Sequence, residues 1–215
     1  MRTHRLLCLA PLVTMVIVTG PSALLAQAPV RPSAANAEEL MATYSEQALA
    51  ELNEEGVALV ASKDQEGLIE GLVIFEKPLA YVWELLIQGD RQDEYRPELK
   101  GIEAIAAGDG WSTDEHQLKM MFIKISYTLR YEYRPDAHHI RWALDPEFDN
   151  GLEHISGYWW LYETADGRTL GLFGTAVRVG AGLPGWLQDG ITRKNVPETL
   201  ERCRKWVNSG GEERA

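Results

Sequence analysis

Hydrophobic and polar positions alternate most regularly from residue 125 onward. Ile125, Tyr127, Leu129, Tyr131 and Tyr133 share one parity, and Ser126, Thr128, Arg130, Glu132 and Arg134 share the other. A period of two places these sets on opposite faces of a strand. Similar apolar runs predict strands over 57–62, 68–76, 99–107, 113–119, 138–144, 152–163 and 168–179. A polar turn ending in Gly67, the Gly108-Asp109-Gly110 turn and the hairpin signal Asp166-Gly167 separate several of them.

Three segments carry helical periodicity instead. Asn36 with Glu39 three positions on reads as a capping box, and Leu40, Tyr44, Ala48 and Leu52 follow at four-residue spacing. This predicts one helix over 36–53, closed by Asn53 and Gly56. Pro78 suits the first turn of a short helix carrying Leu79, Val82, Trp83, Leu85 and Leu86, which the polar run QGDRQDEYRP ends. Pro184 opens a last, long helix with Leu187, Ile191, Val196, Leu200, Cys203 and Val207 as its stripe. Pro197 lacks a backbone N–H and should kink it. Strands in series with helices set apart predict an α+β fold, with an antiparallel sheet covered on one face. A long terminal helix lying across a curved sheet can leave a space between the two.

The first residues change the picture of where this domain works. Arg2 and Arg5 precede an apolar run over 6–18, and Ala26-Gln27-Ala28 has the form of a cleavage site. Residues 1–28 therefore read as an export signal, with an uncleaved anchor as the alternative. Export places the protein in the periplasm of a Gram-negative bacterium or outside the cell. Residues 29–54 follow as linker and N-terminal helix. Cleavage removes two arginines and no acid, so the net charge of −11 becomes more negative. Such a field repels phosphate backbones and argues against nucleic-acid binding. Cys203 is then the one remaining cysteine, so no intrachain disulfide can form and stability must come from the core.

Residues 73 to 99 suggest a family. The stretch VIFEKPLAYVWELLIQGDRQDEYRPEL, with Pro78, Val82, Trp83, Asp90, Tyr95 and Pro97, resembles the opening of the SRPBCC or START-like superfamily. GYWWLYETADGRTLGLFGTAV is similar to its Gly-x-Trp-x-Leu strand and following hairpin, and LPGWLQDGITRKNVPETLERCRKW to its closing helix. The order of these motifs covers roughly 55–208. The branch it most resembles is the bacterial polyketide-cyclase/dehydrase and lipid-transport group, with coenzyme-Q-binding relatives. The resemblance implies a helix-grip fold, a curved antiparallel sheet wrapped on the C-terminal helix, here with an additional N-terminal helix. It also implies a hydrophobic cavity between sheet and helix. Residues 209–215 read as a disordered tail.

Candidate chemistry is sparse. His138 and His139 are neighbours on a strand and point to opposite faces, so they read as solvated strand-end histidines. Asp114 and His116 share a face but lack a third ligand, and the acids Asp145, Glu147 and Asp149 lack a complete calcium-loop pattern. Cys203 lies on an apolar stripe and reads as a small hydrophobe. No catalytic residue, metal site or cofactor is assigned.

Aromatic density points elsewhere. Residues 120–173 hold eleven of the nineteen aromatics, which suits either a large core or a cavity wall. In GYWWLYE, Gly157, Trp159 and Leu161 share an apolar parity with Ile155. Tyr158, Trp160 and Tyr162 carry polar handles that put them on the outer surface. Gly157 would leave ligand space beside Trp159. The expected uncharged wall is Tyr127, Leu129, Tyr131, Ile140, Trp142, Trp159, Leu161 and Phe173, with Gly157, Trp83, Leu187 and Ile191 as further ligand contacts. Met120 to Ile123 do not alternate. Met121 and Phe122 either sit at the cavity mouth, touching ligand or membrane, or belong to a buried strand crossing. Leu183, beside Trp186, is either the opposite lip or plain packing where the helix begins.

These patterns lead to an exported binding protein for a small hydrophobic ligand, a lipid, quinone or polyketide-like molecule, serving transport or sequestration. A transient membrane contact goes with that role, and the sequence names no protein partner. A cyclase or dehydratase acting on a bound polyketide, with Tyr127 and Tyr131 as proton-transfer groups, is the main rival. An interaction module with a side-chain-filled cavity is the third reading.

Overall fold

Alternating strands assemble here into one antiparallel sheet whose two faces are covered by different parts of the chain. A computed structural model describes residues 32–61, 68–180, 182–184, 186, 190 and 195–215 of the chain. The expected export signal, the polar turn at Gly67 and the site residues Leu187 and Ile191 lie outside the described residues.

The strands are β1 (Val57–Ala61), β2 (Leu68–Phe75), β3 (Leu99–Gly108), β4 (Trp111–Met120), β5 (Ile123–Arg134), β6 (His139–Leu144), β7 (His154–Glu163) and β8 (Thr169–Arg178). Their order in the sheet is β1-β2-β8-β7-β6-β5-β4-β3. Hairpins build the run from β3 to β8, and β2 then pairs with β8, from Leu68 against Ala176 to Phe75 against Thr169. The helices are α1 (Ala37–Met41), α2 (Glu46–Glu55), α3 (Leu79–Leu86) and α4 (Asn195–Asn208).

The single N-terminal helix expected over 36–53 is two helices. Asn36 caps α1 by accepting from the Glu39 N–H, and Ser45 caps α2 by accepting from the Ala48 N–H. A serine that can satisfy an orphan N–H stabilises a new start as readily as it tolerates a helix interior. Gly56, left-handed at φ 74°, returns its N–H to the Leu52 carbonyl and turns the chain into β1.

The inner face carries Val73 and Phe75 of β2, Tyr127, Leu129 and Tyr131 of β5, Ile140 of β6, and Ile155, Trp159 and Leu161 of β7. Val82, Leu85 and Leu86 of α3 and Val196, Leu200, Cys203, Trp206 and Val207 of α4 pack against it. The stripe expected for the last helix is buried over its described part. The helix start near Pro184 and the kink at Pro197 involve residues outside the description.

The outer face differs from expectation. Tyr158 and Trp160 are buried, 5% and 6% exposed. They form a second core with Leu72 and Ile74 of β2, Leu170 and Leu172 of β8, and Ala37, Leu40 and Leu52 of α1 and α2. The Tyr158 hydroxyl donates to the Glu70 carboxylate. The parity in GYWWLYE was right, but its second face is roofed by the N-terminal helices, not by water. His139, expected to be solvated, stacks on Trp160 with centroids 3.7 Å apart, and His138 meets Trp83 edge-on at 5.7 Å.

Residues 209–215, expected as a disordered tail, are docked. The Gly211 N–H bonds to the Trp206 carbonyl, the Ala215 N–H to the Glu94 carbonyl, and Arg214 pairs with the Glu94 carboxylate at 3.1 Å. That carboxylate also takes the Trp206 indole N–H and Arg91, both at 2.8 Å.

Because the second core depends on α2, Leu52→Ala should lower stability by about 2–5 kcal/mol. Ile105→Ala on the exposed edge strand β3 should stay within about 0.5 kcal/mol. Urea midpoints of the two variants check the contrast.

Candidate functional site

A cavity of about 110 Å³ lies between the inner face of the sheet and α4. β5 contributes Tyr127, Leu129 and Tyr131, β6 Ile140 and Trp142, β7 Ile155 and Trp159, and β8 Phe173, Thr175 and Val177. Strand alternation explains this wall, since every other residue faces inward. α4 closes it with Val196, Thr199, Leu200 and Cys203. The rings lean on one another: Trp159 and Phe173 have centroids 4.9 Å apart, Trp142 and Phe173 5.8 Å, and Phe75 and Trp159 5.9 Å. Pockets for drug-sized ligands measure ~300–1,000 Å³. The space between the rings is smaller than that, so a drug-sized ligand must turn some of them aside.

Seven of the expected wall residues line this cavity together: Tyr127, Leu129, Tyr131, Ile140, Trp142, Trp159 and Phe173. The others are elsewhere. Leu161 is buried in the same core without lining the space, and Trp83 and Leu183 pack against that core half-buried. Gly157 leaves no room for ligand. A Cβ there would stand 2.3 Å from the ring of its cross-strand partner Trp142 and 2.7 Å from the Gly174 carbonyl. The glycine is needed because the tryptophan occupies its space. Met121 and Phe122 form the turn between β4 and β5, closed by the Met120–Ile123 pair. They are 73% and 79% exposed, which excludes the buried crossing.

The uncharged wall also needs correction. Gln92, Arg96 and Glu98, from the 3₁₀ turn Gly89–Glu94 and the approach to β3, line one end. They form a hydrogen-bonded chain. Arg96 Nε donates to Glu98 at 3.1 Å, and Arg96 Nη1 donates to the Gln92 side-chain oxygen at 3.1 Å. Gln92 Nε2 donates to the Tyr131 hydroxyl at 2.9 Å, which lies 3.2 Å from His116 Nε2. Because Tyr131 accepts from Gln92, its own proton is free to go to His116, an assignment that puts the imidazole proton on Nδ1. The Arg96 charge also acts on the Tyr127 hydroxyl, and His116 stacks parallel on the Tyr127 ring at 5.3 Å. In the sequence Gln92, Arg96 and Glu98 sat inside QDEYRPEL, where a helix-breaking run hid an inward arginine. The parity pairing Asp114 with His116 was the other available signal, and both are buried.

Burial governs the ionisation of this end. It pushes the His116 imidazole down to about 3, with the Arg96 charge adding to the effect. It raises the Tyr131 and Tyr127 hydroxyls, and lifts the Cys203 thiol to about 12. Arg96 and Glu98 pair at 3.1 Å, so the guanidinium at this end has its counter-charge beside it.

No protein-family model matches the sequence, and no curated protein matches it either. Solved structures do. A STAR-related lipid transfer protein from Xanthomonas axonopodis superposes with a TM-score of 0.55 at 16% identity, covering 71% of this chain and 98% of that one. The Zhui aromatase/cyclase from Streptomyces sp. R1128 gives 0.54 at 16%, covering 65% and 92%. A START superfamily protein from Mycobacterium smegmatis gives 0.55 at 13%, covering 66% and 97%. The chain shares the helix-grip fold of these structures, as the order of its motifs implied.

Two outcomes test this geometry. His116 is neutral in the folded protein and titrates near 6.5 when unfolded. Between that value and about 3 the unfolded chain binds the extra proton. Its contribution is therefore complete above pH 6.5 and is lost as pH falls toward 3, about 2 kcal/mol of it by pH 5. His116→Gln, which stays neutral, should flatten that part of the stability curve in urea titrations at pH 7 and pH 5. Gly157→Val should cost about 1–3 kcal/mol by overpacking against Trp142, with a change in near-ultraviolet circular dichroism as the ring is displaced.

Proposed function

We propose that this protein binds a small, mainly apolar molecule between β5–β8 and α4, and that it does so as an exported carrier. The observation that carries the reading is a continuous aromatic wall ending in a hydrogen-bonded polar cluster. Burying apolar ligand surface there yields about 25 cal/mol per Å². The Glu98–Arg96–Gln92–Tyr131 chain supplies donors that fix one oxygen-bearing end of the ligand, as a few placed polar groups do in apolar sites. A lipid, a quinone or a polyketide-like molecule has this form. The lipid-transfer and aromatase/cyclase names of the structural neighbours support the same range. Transport or sequestration follows from the expected leader at 1–28, and N-terminal sequencing of protein recovered outside the cytoplasm would test export.

The hydrogen bond between Tyr131 and His116 favours a second reading, a cyclase or dehydratase. General acid–base groups work best with pKa values near the operating pH. Burial moves this tyrosine up and this histidine down, away from that range. Binding is therefore the reading the site supports better.

Native mass spectrometry after incubation with a bacterial lipid extract should show a bound small molecule that organic solvent releases. Tyr131→Phe should retain that molecule, weakened roughly tenfold by the loss of one polar contact. A protein that takes up nothing would overturn the binding reading. Turnover of a polyketide-like substrate that Tyr131→Phe abolishes, with binding kept, would establish the enzyme instead.

A further inference from the structure

Seven large hydrophobic residues are exposed among the described residues, and four of them sit in connections at one end of the sheet. Met121 and Phe122 form the β4–β5 turn, Phe148 lies in the β6–β7 connection, and Trp186 in the β8–α4 connection. The β6–β7 connection packs along the start of β5. The Gly151 N–H bonds to the Ser126 carbonyl, and the Asn150 side chain accepts from the Thr128 N–H. The β8–α4 connection returns to the hairpin, where a Cβ on Gly190 would stand 3.1 Å from the Met120 methyl. This end also belongs to the cavity, because Leu118, Leu152 and Val177 beside these connections line it.

The hairpin tip is unusual for its chemistry. Two-residue turns favour glycine, asparagine or aspartate, which tolerate positive φ and like water. Here Met121 adopts φ 54° and Phe122 follows, both pointing large apolar side chains into solvent. Immediately behind them Lys119 and Lys124 face each other across the strands, both exposed. An apolar tip with a pair of amines one step behind matches the layers of a bilayer surface. The rings and thioethers enter the acyl boundary while the ammonium groups remain at the phosphate level. A protruding tip fits such a soft surface better than it fits the flat or concave face of a folded protein.

We infer that the Met121–Phe122 hairpin is a membrane-docking tip that seats the cavity end of the protein on a phospholipid surface. The inference rests on the carrier reading for its purpose, but its geometry is independent of which ligand the cavity holds. Lys119 and Lys124 favour anionic lipid, and Glu147 and Asp149 beside Phe148 oppose it. The dependence on anionic lipid is accordingly shallow, and apolar insertion dominates. Two inserted side chains make a weak, reversible anchor, which suits a carrier that must leave again.

Co-sedimentation with phosphatidylcholine vesicles, with and without phosphatidylglycerol, tests this. The wild-type protein should bind both, somewhat better with phosphatidylglycerol. Met121→Ser/Phe122→Ser should partition roughly ten- to a hundredfold less into both. Lys119→Gln/Lys124→Gln should lose only the preference for phosphatidylglycerol. Uptake of a water-soluble fluorescent short-chain fatty acid, followed without vesicles, should be the same in the serine variant as in wild type. Docking is overturned if wild type binds neither vesicle, or if the serine variant binds as well as wild type. A lipid-free dimer that the serine substitutions dissolve would overturn it too, by making the tip a contact between copies. Vesicle binding without fatty-acid uptake would leave docking standing and remove the carrier reading, so the two fail separately.

Discussion

The seating of α4 on the inner face of the sheet is the constraint on which the rest depends. Leu200 reaches so close to β2 that a Cβ on Gly71 would stand 2.5 Å from its methyl, and Leu200 and Val207 are fully buried. At the C-terminal end of the helix, Trp206 is held by the Tyr95 ring at 5.1 Å, by the Glu94 carboxylate and by Arg91 over its face. The helix is thus anchored at that end, while Val196, Thr199 and Cys203 bridge the ring-lined hollow. A close-packed interior tolerates few voids. A persistent space needs such a bridge, and this one is fixed at its far end by packing that a ligand need not disturb.

The opposite face meets a different demand. A strand with tyrosine and tryptophan on its outward parity exposes apolar area that water disfavours and polar atoms that burial leaves unpaired. α1 and α2 resolve both problems by covering Tyr158 and Trp160 while Glu70 receives the Tyr158 hydroxyl. The sheet is therefore sandwiched near β1, β2, β8 and β7. Further along it presents polar pairs to solvent, such as Arg141 with Glu132 at 2.6 Å. The N-terminal helices stabilise the scaffold without touching the cavity, which leaves the inner face free for binding.

At the polar end of the cavity, stability and binding compete. Half-buried charges and a buried imidazole are costly unless each donor and acceptor is matched. The chain from Glu98 to His116 Nε2 links its members in series, so one displaced partner affects the next. His116 Nδ1 has no partner among the described residues. Such a cluster adds little net stability. Its value lies in offering directed hydrogen bonds inside an otherwise apolar space.

Much of this was legible in the chain. Period-two alternation located the strands and separated Trp159 from Trp160, and seven wall residues followed from it, because strand geometry is local. The capping residues Asn36 and Gly56 were equally readable. The break at Ser45 was missed because a serine within a helical stripe reads both ways, and only the two caps together decide it. Parity tells which residues share a face but not what covers that face, so Tyr158, Trp160 and His139 were placed in water. Gly157 read as a gap because the ring that fills it comes from the neighbouring strand. The inward turn of Arg96 and the exposure of Met121 and Phe122 were likewise settled by pairing register and by the path of the 3₁₀ turn. The sequence by itself determined the elements, their faces and the apolar character of the site, since these depend on near neighbours in the chain. The tertiary structure alone decided which faces were covered, which ring filled which space and where charge entered the cavity, since each depends on residues brought together from distant positions.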